Sequence, residues 1–441
     1  MTFESFWTTA VNLVWGLPLV IILASAGAYF TIISRVLPLR KAKHALAVLS
    51  GRYDSFDDPG ALTHFQALTT ALSGTIGMGN IAGVAVAISM GGSGAVFWMW
   101  IAGLLGMATK FFTCSLAVMY RKPDESGELQ GGPMYTIELG LGAAFKPLAV
   151  IFAACGMVGC LGIFQANQLA NLVAEEFGIA RLFTGFAAML MVGYVLFGGV
   201  TRLGKVSKLI VPSMVVFYLI GGLIVILSHW ERVPAVIHAI IFGAFDPSAM
   251  LGGGVGLAFK EVLVTGVKRA VFSNEAGVGT AALAHGAART QEPIREGLVA
   301  MLGPFIDTII VCTITALVIL TSGVQVHEAG VVMTANAFDS AMPGFGSLFL
   351  LVVFTLFALS TMVSYAYYSQ KCARYLFGRK RGGYFLYIYL VLLPCAAIWH
   401  PATIINILDT AFALMVVPNL IASVYLAPKV LTATRDYFSR H

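Results

Sequence analysis

The residues best equipped for chemistry fall in one short stretch, Ser73-Gly-Thr-Ile-Gly-Met-Gly-Asn80, within ALSGTIGMGNIAGVA at 71–85. Gly74, Gly77 and Gly79 sit there beside the polar Ser73, Thr75 and Asn80, inside an apolar segment long enough to cross a bilayer. Glycine costs about 1 kcal/mol against alanine in a helix interior. In hydrocarbon, non-helical backbone survives only where it is buried in protein or lines a polar cavity. A helix broken at this point leaves free N–H groups at the start of one half, which suit a carboxylate. It leaves free carbonyls at the end of the other, which suit Na⁺. Close packing of small residues accounts for Gly79 and Gly83, but not for three polar side chains in the same stretch. A nucleotide loop is a poor match, because the spacing is G-x-x-G-x-G and no strand precedes it.

Other polar groups lie at membrane depth. GIFQANQLAN (162–171) places Gln165 and Gln168 on one helix face and Asn167 and Asn171 on another. LSTMVSYAYYSQK (359–371) carries Ser360, Thr361 and Tyr365. Taken singly, such residues serve as interhelical glue as readily as ligands. A second break is expected in GGGVGLAFKEVLVTGVKRAVFSNEAG (252–277), where Gly266 interrupts and Lys260, Glu261, Lys268 and Arg269 add charge. An intramembrane carboxylate is costly enough to imply a role, so Glu261 is a candidate for substrate choice; the alternative is a shallow position with Lys260 snorkelling to water. The eight histidines are dispersed, with His64 and His285 reading as lone residues. The six cysteines have neither metal nor disulfide spacing. No nucleophile–base or metal set assembles, so an enzyme is not the expectation.

The elements that must hold these residues are membrane helices. Hydrophobic residues make up 58% of the 441, charged residues 11%, and mean hydropathy is +0.86, whereas a soluble domain is roughly a quarter charged. Windows of about 20 residues give about eleven spans. They lie near 11–35, 61–90, 94–120, 146–173, 181–200, 206–229, 249–284, 295–322, 346–376, 383–399 and 402–428. The net charge of +6 resides in alternate loops, with Arg35, Arg40, Lys41 and Lys43, then Arg121 and Lys122, then Arg202, Lys205 and Lys208 among the basic residues. That pattern points to lipid rather than nucleic acid, and it sets the N-terminus outside and the C-terminus in the cytoplasm. The first span lacks the basic start of a cleaved signal peptide. The segment 232–247 is too short to span and is expected at the outer surface. Spans two and seven, the broken pair, are five helices apart, as an inverted five-helix repeat requires.

With these residues in view, the chain resembles the alanine or glycine:cation symporter family, of the leucine-transporter (LeuT-type) fold. The resemblance rests on FQALTTALSGTIGMGNIAGVA (65–85), GAVFWMWIAGLLGMATKF (94–111), GELQGGPMY (127–135), GVKRAVFSNEAGVGTAALAH (266–285) and VVPNLI (416–421). It implies an all-α membrane protein in one domain over 1–441, with an extra peripheral helix at 11–35. Repeats at 61–229 and 249–428 would form the inverted five-plus-five core. It implies Na⁺-coupled uptake of a small neutral amino acid across a bacterial or archaeal plasma membrane, a proton being the less common coupling ion. Carried over, the substrate carboxylate meets Gly74, Thr75 and the amides of Met78 and Gly79. Na⁺ is held by the carbonyls of Ser73 and Ile76 and the hydroxyls of Ser360 and Thr361, with Asn80 as a further candidate. Gln165 is the pocket glutamine, Tyr365 lies at the pocket, and Leu263 and Gly266 line the second break.

The chemistry agrees: a zwitterion needs amide donors at one end and oxygens at the other, and Na⁺ is a hard cation that takes oxygen ligands. The chain departs from the family pattern at Met78, where threonine is usual, and at Tyr365, where tryptophan is frequent. It also departs at YYSQK (367–371) in place of Y-Y-G-E-K, and at Lys260–Glu261. The resemblance implies alanine or glycine as the cargo, with D-alanine a further option, and these departures make a larger or more polar amino acid the alternative. A channel would want a continuous polar file, whereas these polar residues converge on one level. Nothing calls for an organic cofactor or an obligate protein partner.

Overall fold

The computed structural model describes residues 3–440 apart from 56, 126, 246–254 and 325–329. Helices account for nearly all of it, and the strands among the described residues are two-residue pieces, Lys122–Pro123 paired with Leu129–Gln130. Among the described residues six helices are long and apolar enough to cross a membrane, or seven if a bent pair, His64–Thr75 with Gly79–Gly91, counts as one span. Leu17–Ile33 and Arg181–Leu196 are shorter apolar helices. The expected short outer segment is a helix at Val233–Gly243. The rim carries bare aliphatic and aromatic side chains such as Leu190, Tyr194, Leu209 and Leu227. In water that surface would aggregate; in lipid it is the required exterior. The molecule is a multi-pass membrane protein.

Burial separates centre from rim. In Gly94–Met119, 78% of the apolar window is buried, against 39% in Gly199–Ser228. The central helix packs against Val255–Asn274 and against the helices that open at Leu17 and Pro293. At the N-terminus two helices, Phe3–Val14 and Leu17–Ile33, stand where one span at 11–35 is expected. Trp15 between them donates from Nε1 to the Asp409 carbonyl at 2.7 Å.

The helix Gly346–Ala397 has 52 residues. A straight rod of that length would run about 78 Å, more than twice the hydrocarbon core. Gly378, at φ 78 and ψ 168, folds it into two arms that match the expected segments at 346–376 and 383–399.

The first break is built from its sequence. Thr63 and Gln66 form a capping box that starts His64–Thr75. The helix ends at Ile76, which is extended (ψ 102), and the following half turns away by 57°. The Gly77 amide donates to Asn80 Oδ1 at 2.8 Å, so a side chain supplies the acceptor that the helix withholds.

The second break is not where Gly266 suggested. Val255–Asn274 runs through that glycine, whose Cβ would stand 2.4 Å from the Ala95 carbonyl oxygen. Gly266 is a point of close helix approach. The chain breaks beyond Asn274, at Glu275 (φ 53), Gly277 (φ 92) and Gly279 (φ 98), and resumes as Thr280–His285. A further interruption, at 160–162, separates Lys146–Gly159 from Ile163–Phe177.

Candidate functional site

The two breaks face one another across a cavity of about 40 Å³. Gly74, Thr75, Gly77, Met78 and Gly79 wall it on one side, with Phe272 and Glu275 from the second break. Phe164 and Gln165, Thr361 and Tyr365, and Ile405, Leu408, Asp409 and Phe412 close it. The last four recur at helical spacing, so one face of Pro401–Ser439 forms a wall.

Thr361 lines this cavity, while Ser73 and Ser360 lie together at an apolar crevice with Leu190, Val195 and Ile210. Ser73 Oγ donates to the Ser360 carbonyl at 2.7 Å, and Ser360 Oγ approaches the Ser73 carbonyl at 3.4 Å and that of Phe357 at 3.0 Å. Thr361 Oγ1 also donates to Phe357, at 3.0 Å. Gly77 adjoins Thr361, since a Cβ there would lie 2.9 Å from Thr361 Oγ1. The Ser360 and Thr361 hydroxyls thus share the Phe357 carbonyl, with the Ser73 carbonyl next to Ser360, and these oxygens carry no fixed charge. That donor set suits a hard monovalent cation.

Asn80 is otherwise engaged. Its Oδ1 takes the Gly77 amide, and its Nδ2 donates to Asp307 Oδ1 at 2.8 Å. Asp307 Oδ2 accepts from Ser273 Oγ at 2.9 Å and from Thr308 Oγ1 at 2.8 Å. Asn80 is therefore tied through Asp307 to Ser273, at the end of the helix that precedes the second break. Tyr365 donates from its hydroxyl to Glu275 Oε1, while Thr280 donates to Oε2, so both carboxylate oxygens are engaged.

Gly74, Thr75, Met78, Gly79, Gln165 and Tyr365 line the cavity, with Thr361 at its edge. Leu263 does not: it faces an apolar crevice with Leu23 and Trp98. Gly266 packs on Ala95 and Trp98. Glu261 and Lys260 are exposed, and Glu261 is not among the residues that line the cavity. Asn167 caps a helix end, giving Nδ2 to the carbonyls of Ala396 and Trp399, both at 2.8 Å.

Sequence reasoning missed Phe272, Glu275 and Asp409. A signal existed for the last, since Asp409 is the sole charged residue in the segment 402–428. His64 and His285 are not lone residues either. Both place Nδ1 on the buried carboxylate of Glu296, His285 at 2.5 Å.

The model of the "Sodium:alanine symporter family" matches residues 1–441. The chain is 38% identical to the sodium/alanine symporter AgcS of Methanococcus maripaludis, over 99% of this chain and 98% of that one. It is 33% identical to a Bacillus subtilis protein named "probable sodium/glutamine symporter GlnT", over 97% of this chain and 89% of that one. In three dimensions it is similar to MhsT in complex with L-phenylalanine, with a TM-score of 0.61 at 12% identity, covering 83% of this chain and 89% of that one.

Proposed function

The chain belongs to the sodium:alanine symporter family, a family of secondary active transporters with the leucine-transporter fold, and from that premise we propose that it carries a small neutral amino acid into the cell together with Na⁺. The observation that carries this reading is the junction of an oxygen cluster with unwound backbone. Ser73 and Ile76 carbonyls with Ser360 and Thr361 hydroxyls would hold Na⁺. The amides of Met78 and Gly79, at the start of the half-helix beside them, would take the substrate carboxylate. A cation bound there raises the affinity for a carboxylate next to it, which couples the two cargoes.

Cavity size supports alanine or glycine. About 40 Å³ walled by Phe164, Phe272, Tyr365 and Phe412 leaves little room for a long side chain. The relative named as a glutamine symporter favours a second reading, in which the walls yield to a larger, more polar cargo. Transport by alternating access would use the two breaks as hinges between repeats at 61–229 and 249–428. The N-terminus would lie outside and the C-terminus inside, as the basic loops require.

A melting screen of the purified protein against amino acids, with and without Na⁺, tests the binding half of this reading. A ligand at about 100 times its Kd stabilises by about 2.7 kcal/mol. Alanine or glycine should raise the melting temperature in Na⁺ and fail to do so in choline. Equal shifts in both media would remove Na⁺ from the site.

A further inference from the structure

The cavity has an unequal inventory of donors and acceptors. Three of its residues carry hydroxyls, and each proton is already placed. Thr75 donates to Ala71 at 3.3 Å, Thr361 to Phe357 at 3.0 Å, and Tyr365 to Glu275. Its two charged residues are both acidic. Glu275 has both oxygens filled, by Tyr365 and Thr280. Asp409 Oδ1 and Gln165 Oε1 are buried and have no hydrogen-bond partner among the described residues. Each belongs to a side chain only 8% exposed.

A buried acceptor without a donor costs about 1–3 kcal/mol, and more when it is charged. Lys268 and Arg269 are the cations whose charge bears on Asp409, yet no ion pair within 4.0 Å joins either to it. Lys268 lies instead over the Trp15 ring, 5.8 Å from its centroid. Trp15 holds the Asp409 backbone at 2.7 Å, which fixes the height at which the carboxylate enters the cavity. No described residue lining the cavity is cationic, so a cationic group on the ligand would supply the partner that Asp409 lacks there.

We propose that Asp409, with the Gln165 carbonyl oxygen from the same cavity lining, receives the α-ammonium of the substrate whose carboxylate is held by the amides of Met78 and Gly79. This inference rests on the amino-acid reading above and gives it a second anchor. Three ammonium N–H groups face two unpartnered oxygens, and the contact to Asp409 is charge-assisted, the stronger kind. The site then selects primary ammonium carboxylates as a class and rejects hydroxy acids of the same shape, because those leave a buried carboxylate unpaired.

Competition in proteoliposomes holding the full chain tests this. L-lactate keeps the carboxylate and methyl group of alanine but replaces the ammonium with a hydroxyl. Asp409→Asn should raise the half-saturation for alanine about ten-fold or more, while lactate, no longer facing an unpaired carboxylate, should inhibit at least as well as before. Equal weakening of both would assign Asp409 to Lys268 and Arg269 instead and overturn the proposal, as would an unchanged alanine constant. Should Asp409→Asn not fold, the unaltered protein still answers. Inhibition should weaken through glycine, sarcosine, dimethylglycine and betaine as N–H groups are lost at constant charge. Betaine inhibiting as well as glycine would overturn the assignment. If the unaltered chain accumulates no amino acid on a Na⁺ gradient, both this proposal and the amino-acid reading fall. If it does and Asp409→Asn shows no selective loss, this one alone falls.

Discussion

Thr361 touches two things at once, the Phe357 carbonyl through its hydroxyl and the space a Cβ on Gly77 would need. Thr361→Val removes one oxygen ligand and keeps the volume. We expect the Na⁺ half-saturation to rise about 5–30-fold, equivalent to about 1–2 kcal/mol, with the melting temperature nearly constant. Gly77→Ala should mimic it, because its Cβ would lie 2.9 Å from Thr361 Oγ1 and displace the hydroxyl. Gly79→Ala presses elsewhere, 3.1 Å from Ser273 Cα and 3.7 Å from the Phe272 carbonyl oxygen. Its effect should fall on amino-acid affinity more than on Na⁺. Titrating both cargoes on both glycine variants checks the split, and identical profiles would deny that the two glycines border different ligands.

The elements are tied together by buried polar staples. His64 opens the first broken span, His285 closes the short helix after the second break, and Glu296 stands in the first turn of Pro293–Ala300. One carboxylate thus joins three elements at 0–1% exposure. Glu296→Ala leaves two buried imidazoles without an acceptor and should cost about 3–5 kcal/mol. Glu296→Gln, which retains an acceptor oxygen, should cost less. Melting curves in detergent would rank them, and equal stability of all three proteins would mean the staple carries nothing. The sequence disclosed the first break because glycines and polar side chains coincide at Gly74–Asn80, and only a non-helical backbone needs both. It misplaced the second because Gly266 has two uses, and close packing on Ala95 shows only in space. Glu275 was passed over because its carboxylate finds Tyr365 across 90 positions. No local pattern records such a pair. The Glu296 cluster was hidden for the same reason, with partners 232 and 11 residues away.

At the scale of the whole molecule, an apolar exterior surrounds a central helix, and two interrupted helices meet across a small cavity with oxygens at one edge. Composition revealed the exterior and the fold class, because hydropathy is additive along the chain. The cavity's size and its unpartnered acceptors became visible only when distant segments were set face to face. That architecture suits a carrier, since the polar groups converge on one small cavity and form no continuous file among the described residues. The most direct test is uptake of labelled alanine and glycine by proteoliposomes under an inward Na⁺ gradient, with K⁺ substituted as control. The account predicts saturable accumulation above equilibrium in Na⁺, lost in K⁺ and lost when the gradient is collapsed. Accumulation that ignores the Na⁺ gradient, or flux that never saturates, would contradict it.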